Sequence, residues 1–570
     1  LRFQQILPRA ARDLPRGAAP GSTRRRAQGA FIREASPGFF TALPLLQAAL
    51  VRLEQLLREA LAATGGQEWA WPAVLPLPPA GSGGEPALRC AFSDRSGATL
   101  AAAPPDDSLV LRLLAQDLNS YKQLPQLLYG FRRAWRHEHQ AKAGLAAARE
   151  YPALRAWALA DAVERLPLGH PAGELLGRVL CDRLNLPVTW IEGEPGPDGA
   201  GPGRILLVPL PEGPAATLQC PVCGYAAAAE WATGRLPQFP QDAGPAERAA
   251  VHGPGLIQVE PLARHIGIPV WKTTKMLLFL ADGRPVAVML RGDSHAAENK
   301  LVRFLGCRRL ELAPPDLVRE LTGAEVGYAG PLGLPPAVRV IADVETRDRV
   351  NFECGANRTD YHLVNVNFGR DLPWPDFDDF KRAAAGQACS RCGEGTLEAG
   401  AGLPVGRLDF WAPGQVAGSG CAYLDRDGSS RSPWLGVLGL DLFGVTAALA
   451  EVHHDERGLL WPPAVAPGLG HRVGLHLADE NVAREAASLY LELERNGLPT
   501  LFDDRDLKAG DKFAEAELIG LPAQLTISRR TCQAGQLELK FRRRPERELL
   551  TPDQAIARIK MDLAGYTLLC

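Results

Sequence analysis

No stretch of about 18 consecutive apolar residues occurs in the chain, which excludes a membrane-spanning helix of ordinary length. The start lacks the charged-then-apolar pattern of a secretory leader, so a cytoplasmic protein with no membrane partner is expected. Charge of one sign is lacking too: 63 Lys and Arg against 65 Asp and Glu leave a net charge of -2. That balance excludes the broad basic field with which DNA-binding proteins meet phosphates, and no DNA partner is expected. Any polyanion contact must come from local clusters such as Arg24-Arg25-Arg26, Arg132-Arg133 and Arg542-Arg543-Arg544. Glycine-rich stretches occur, but none leads into Gly-Lys-Ser/Thr, so a phosphate-binding loop of that type is excluded. Cysteine is sparse, 11 in 570 residues, too few for a disulfide framework in so long a chain.

What is present is the make-up of an ordinary globular protein, 46% hydrophobic and 22% charged. A length of 570 residues exceeds what one core organises, so three or four domains are expected. From Leu45 to Ala63 apolar residues recur at three and four, which predicts an amphipathic helix stopped by Gly65-Gly66. Between Asn119 and Tyr151 the pattern predicts a buried strand, an arginine-bearing tip at Trp135-Arg136-His137-Glu138, a loop around Gly144 and a return strand or helix. Trp157 to Arg183 reads as helix, Pro187 to Ile191 as strand, and Gly193 to Gly203 as a turn-rich loop without structure of its own.

Four of the cysteines form two knuckles, Cys220-Pro-Val-Cys223-Gly and Cys389-Ser-Arg-Cys392-Gly. Each knuckle is the turn that presents two thiolates to a tetrahedral zinc. They bracket residues 240–385, where a separate domain is inserted, so one structural Zn2+ held by all four would tie its two ends together. Inside the insert, apolar runs predict two strands joined by the turn Ala281-Asp282-Gly283-Arg284. After Gly470 the pattern alternates strand, helix, strand, helix, with a helix from Asn481 to Asn496, and predicts a mixed α/β layer.

Asn119-Ser-Tyr-Lys-Gln-Leu-Pro125 with its Arg136 tip, Glu68-Trp-Ala-Trp-Pro72 and Asp455-Glu-Arg-Gly-Leu-Leu-Trp461-Pro resemble motif regions of class II aminoacyl-tRNA synthetases, bacterial prolyl-tRNA synthetases in particular. The resemblance spans roughly residues 30–550 and implies an α/β (α+β) fold in three parts. These are an antiparallel-sheet catalytic domain (1–235 with motifs 1 and 2, 386–466 with motif 3), an inserted α/β editing domain (240–385) and a C-terminal α/β anticodon-binding domain (470–570). It further implies a homodimer through motif 1, tRNA(Pro) as partner, and ATP with Mg2+ for ligation. In the family a motif 2 arginine grips the ATP α-phosphate, since a planar fork of donors neutralises charge that builds during adenylate formation. The matching positions are Arg136 and Glu138.

Lys275, Gly327-Tyr-Ala-Gly-Pro331, Val340-Ile-Ala-Asp343 and the run from Gly355 to His362 resemble the editing insert, which hydrolyses tRNA mischarged with a small amino acid, alanine above all. The positions that carry over are Lys275, Gly327, Pro331, Asp343 and His362. Such residues need no nucleophilic side chain: the lysine holds the tRNA end, the loop offers N–H groups, and water attacks. Asp503 to Pro522 resembles the anticodon-binding domain and implies tRNA contacts at Asp504, Arg505, Phe513 and Glu517.

Several positions depart from the family. Pro105-Asp106-Asp107-Ser108 stands for Thr-His-Glu-Glu, which puts Asp107 where a glutamate orients the proline amine, with no hydroxyl beside it. Gln140-Ala-Lys142 replaces Arg-Pro-Arg, the 193–203 loop replaces a Gly-Gly-Ser-x-Ser-His-Glu-Phe signature, and Ala297 replaces an asparagine of the insert. Counting back from Asp455, Gly444 takes the place of the motif 3 arginine that stacks on adenine and meets the γ-phosphate. The expectation is a family member with an eroded ATP and proline site that still hydrolyses mischarged tRNA. An active divergent proline-tRNA ligase and a non-catalytic tRNA-binding or regulatory paralogue are the alternatives.

Overall fold

The computed structural model describes residues 2–3, 31–76, 90–102, 107–136, 144–166, 171–195 and 202–564. Arg24-Arg25-Arg26, Pro105, His137, Glu138, Gln140-Ala-Lys142 and the middle of the 193–203 loop lie outside the described residues. The chain divides into two compact units, one of Leu1–Trp190, Glu194–Ala215 and Ala401–Cys570, the other of Ile191–Gly193 and Ala216–Gly400.

The first unit begins with helix α1 (Pro44–Ala63), started by proline at its first turn and ended at Thr64 and Gly65. Its buried face, Leu45, Leu46, Leu50, Leu53, Leu57 and Leu61, lies in the main core. The Glu68 to Pro72 stretch contributes only the end of a short strand, β1 (Gln67–Glu68). Helix α2 (Asp107–Leu114) precedes strands β2 (Gln126–Trp135) and β3 (Glu150–Ala160), which pair antiparallel from Gln126 opposite Leu159 to Trp135 opposite Glu150. The helix expected over Trp157 to Arg183 is corrected here: Trp157 to Ala160 continue β3, and helix α3 covers only Pro171–Arg178, followed by a wider turn over Val179–Arg183. Alanine favours helix in isolation, but β3 is sandwiched between two strands and nearly all of it is buried, so tertiary pairing overrides propensity. Strand β4 is Pro202–Pro209.

In the second unit, helix α4 (Val259–Ile266) precedes β5 (Thr274–Ala281) and β6 (Arg284–Arg291). Asp282 (φ 47°) and Gly283 (φ 80°) make the two-residue turn between them, both in the left-handed region that such a hairpin requires. Strands β7 (Leu310–Leu312), β8 (Arg339–Asp343), β9 (Phe352–Gly355), β10 (Tyr361–Val366) and β11 (Asp376–Asp378) follow. One sheet runs β7-β5-β6-β8-β11, while β9, β10 and the strand Ala249–His252 form another.

The chain returns to the first unit along β12 (Glu398–Trp411) and enters β13 (Trp434–Asp441) and helix α5 (Leu442–Val452). Six strands of this unit run β4-β12-β13-β3-β2-β1 within a nine-stranded sheet. Helix α5 is apolar around most of its circumference and buried from Leu442 to Ala450, as such a pattern demands. The C-terminal part adds β14 (Gly470–Gly474), α6 (Glu480–Arg495), β15 (Thr500–Asp503), α7 (Ala509–Ile519), β16 (Ala523–Ile527), β17 (Leu537–Phe541) and β18 (Arg547–Leu550). Its sheet order is β15-β14-β16-β17-β18, the mixed α/β layer that the alternation predicts.

His471 on β14 sits 1% exposed with neither ring nitrogen bonded, and burial pushes its pKa down to about 4. The folded state therefore excludes a proton that the unfolded chain binds below its ordinary pKa of 6.5. Stability is fully present above pH 6.5 and falls towards pH 4, by at most about 1.4 kcal/mol per pH unit from this group. Denaturant titrations at pH 7 and pH 4.5 should show that loss in the native chain, and His471→Phe should remove this part of it.

Candidate functional site

The first cluster lies where the arginine tip meets β13. The Arg136 amide donates to the Arg149 carbonyl at 2.8 Å, closing the β2 and β3 hairpin below the tip. Its guanidinium lies 4.1 Å above the Tyr151 ring, donates from Nη1 to the Ala146 carbonyl at 3.2 Å, and is ion-paired through Nη2 with Asp441 Oδ2. Asp441 ends β13 and caps α5: its Oδ1 accepts the Gly444 N–H at 2.8 Å. Burial pushes the Asp441 carboxyl up, and Arg136 opposes that rise. A side-chain carbon added at Gly444 would stand 3.0 Å from Asp441 Oδ2, so the aspartate would have to yield by a few tenths of an ångström.

Beside this pair stands a second one. Asp107 on α2 accepts from Trp157 Nε1 at 2.8 Å and pairs with Arg155 at 3.3 Å. Arg155 runs along β13, where a side-chain carbon at Gly439 would meet its Nη1 at 2.9 Å. Arg132 lies close by; burial first, and then the nearby charge of Arg155, lower its pKa to about 10. The sequence-predicted Arg136, Asp107 and Gly444 thus do converge, together with Asp441 and Arg155, which sequence reasoning missed. Glu138 lies outside the described residues.

The second cluster lies in the inserted unit. Lys275 on β5 is partly exposed and donates from Nζ to the Ser294 carbonyl at 2.8 Å. Burial lowers its pKa, against the pull of Glu260 and Asp293. His362 on β10 is 2% exposed, with Nδ1 at 2.8 Å from Glu353 and Nε2 at 3.1 Å from the Leu256 carbonyl. Both contacts are to oxygen atoms of the protein, so both ring nitrogens are engaged within the fold. The other oxygen of Glu353 accepts the Thr274 N–H at 3.2 Å, which chains His362 to the backbone next to Lys275.

The 327–331 loop is held from several sides. Gly327 has φ +103° and packs so closely on Ile257 that a side-chain carbon would stand 2.4 Å from Cγ2, so only glycine fits. Asn357 accepts from the Gly330 N–H at 2.7 Å and donates to the carbonyls of Gly330 and Leu332 at 2.9 and 2.6 Å. Tyr328 lies over His362 at 5.4 Å between ring centres and donates its hydroxyl to Asp360 at 2.9 Å. Asp343 plays a different part: its oxygens accept the N–H groups of Glu345, Phe380 and Lys381 at 2.8–3.0 Å, which fixes the turn after β8. Glu353 and Asn357 were missed by sequence reasoning. An acid inside the apolar run Phe352-Glu-Cys-Gly355 was the available signal for the first.

All four knuckle sulfurs lie within 4.8 Å of one another. Cys220 and Cys392 are 3.8 Å apart, Cys223 and Cys389 3.7 Å. Zinc–sulfur bonds of about 2.3 Å in a tetrahedron put sulfurs about 3.8 Å apart, so the donor set fits zinc. Backbone N–H groups of Arg391 and Gly395 point at Cys389 and Cys392 at 3.4 and 3.3 Å, the usual support for thiolate charge.

In the C-terminal part, Arg505 is buried and pairs with Asp503 at 2.6 Å and Glu515 at 2.7 Å. Glu517 takes Lys540 at 2.6 Å and Arg542 at 3.2 Å. Both are committed to internal pairs, whereas Asp504 and Phe513 are half-buried at the surface of the layer.

Comparison with known proteins gives consistent matches. Residues 254–372 match the family described as an aminoacyl-tRNA editing domain, and residues 465–561 match an anticodon binding domain. Over 566 residues the chain is 32% identical to the proline–tRNA ligase of Geobacter sp., covering 98% of each protein. It is likewise 32% identical over 570 residues to the proline–tRNA ligase of Moorella thermoacetica, covering 99% of each. Among solved structures, the prolyl-tRNA synthetase of Cryptosporidium parvum complexed with halofuginone and AMPPNP covers 96% of this chain and 77% of its own, with a TM-score of 0.56. At 10% identity that likeness is one of fold.

Proposed function

Because the chain belongs to the prolyl-tRNA synthetase family, we propose that it handles tRNA(Pro) as a hydrolase of mischarged esters rather than as a ligase. The observation that carries this reading is the state of Arg136. The guanidinium at the phosphate-gripping position is ion-paired with Asp441, and the partner cation of motif 3 is replaced by Gly444. Asp107, at the proline-binding position, is likewise engaged by Arg155 and Trp157. Adenylate formation needs cations aimed at a transferring phosphate, and among the described residues Arg136 is ion-paired while position 444 carries no side chain.

The editing cluster supports the other half of the reading. Lys275 is the cation for the phosphodiester end of the tRNA, the 327–331 loop supplies backbone donors around the ester, and water is the nucleophile. His362 and Glu353 hold the 253–258 segment and β5 in register rather than moving a proton. Asp504 and Phe513, half-buried at the surface of the layer, are the candidates for reading the anticodon, with Arg505 and Glu517 held in internal pairs. Zn2+ at Cys220, Cys223, Cys389 and Cys392 would serve as a cross-link, and ATP with Mg2+ enters only if ligation survives. A homodimer through the Glu68 to Pro72 stretch completes the proposal; Trp69 stacks on Trp71 there at 5.4 Å.

The test is a pair of assays on one preparation. With proline, ATP and tRNA(Pro), no prolyl-tRNA should form, while added alanyl-tRNA(Pro) should be cleared. Prolyl-tRNA formation would reverse the first half, and a stable alanyl ester the second.

A further inference from the structure

Three groups of the protein engage the Arg136 guanidinium. Nη1 meets the Ala146 carbonyl, Nη2 meets Asp441, and the flat face is covered by Tyr151. Asp441 comes from the end of β13 and is 9% exposed. We propose that Asp441 is a resident anion that decides what this pocket rejects: its carboxylate takes the place on Arg136 that a substrate phosphate would take. This rests on the reading of Arg136 as the phosphate-gripping arginine. An incoming phosphate would have to displace a buried carboxylate from Arg136, its charged partner among the described residues, and then sit beside it, a like-charge contact that works against binding.

Asp441 and Gly444 act as one device. The carboxylate caps the first turn of α5 by accepting the Gly444 N–H, and the space next to Oδ2 is free because residue 444 has no side chain. An arginine at 444 would crowd Asp441, its Cβ standing 3.0 Å from Oδ2, without removing the carboxylate from Arg136. The loss of one cation and the capture of the other are therefore coupled, and restoring residue 444 alone leaves Arg136 occupied.

The test is direct titration of Mg-ATP, with thermal melting as a second readout. Asp441→Asn keeps an oxygen for the Gly444 N–H, so the helix cap survives, but it turns an amide donor towards Arg136 and frees the guanidinium. Asp441→Asn is expected to bind ATP about 10- to 100-fold more tightly than the native chain. Its melting temperature should rise with ATP, where the native one does not. Adding Arg136→Gln should abolish the gain. If Asp441→Asn melts cooperatively yet binds ATP no better than a non-binding native chain, this inference fails and the hydrolase reading stands. If the native chain binds ATP tightly, the reading of a closed activation site fails and this inference falls with it.

Discussion

Lys275→Ala is expected to slow clearance of alanyl-tRNA(Pro) by about 100-fold or more in kcat/KM, the usual cost of losing one placed electrostatic contact. The expectation follows from how Lys275 is held. Its stem leaves β5 beside the hairpin partner β6, and its Nζ donates to a carbonyl, Ser294 O, at 2.8 Å. A carbonyl satisfies one of three N–H donors and carries no net charge, so the ammonium, with Glu260 and Asp293 nearby, keeps donors for a phosphodiester. If the contact is to phosphate, the loss falls on KM and deepens with salt; if to the ester oxygen, it falls on kcat. Lys275→Arg should recover part of the rate. His362→Ala should also slow the reaction, by releasing the Leu256 carbonyl and Glu353, with faster hydrogen exchange over 253–258 as its signature. Native-rate hydrolysis by Lys275→Ala would remove the lysine from the mechanism.

The second large effect is expected at the cysteines. Metal analysis should find about one zinc per chain, as a single closed four-thiolate site holds. Cys220 and Cys389 are buried in a small core with Leu218, Tyr225, Ala232, Ala383 and Leu397. That core has few apolar groups, so the cross-link carries much of its stability; structural zinc in small peptides contributes on the order of 10 kcal/mol. Cys389→Ser, or a strong chelator, should release the metal and raise hydrogen exchange selectively over residues 216–236 and 383–397. A metal-free chain with full protection there would show that packing alone holds the two knuckles.

Much of the architecture was readable in the sequence because it is local. The Leu45 to Ala63 helix, the Asp282-Gly283 hairpin and the alternation after Gly470 each depend on residues a few positions apart. The cysteine knuckles were readable through spacing, although 166 residues separate Cys223 from Cys389. What failed was decided by distant partners. Trp157 to Ala160 follow alanine-rich helix preferences by themselves and become strand only because β2 and β13 flank them. Gly444 was found by counting, yet Asp441, three residues earlier, gave no signal, because its partner lies 305 residues away at Arg136. Glu353 was hidden in the same way, since its meaning lies in His362 and Thr274 on neighbouring strands.

The account stands most directly on proline-dependent exchange of pyrophosphate into ATP, measured on the purified chain with Gly444→Arg and Arg136→Gln beside it. It predicts exchange at the level of the enzyme-free control in all three, with Gly444→Arg silent because Asp441 still holds Arg136. Exchange well above that control in the native chain, abolished by Arg136→Gln, would contradict it. Arg136 would then be gripping phosphate in spite of Asp441, and the chain would be a working proline–tRNA ligase.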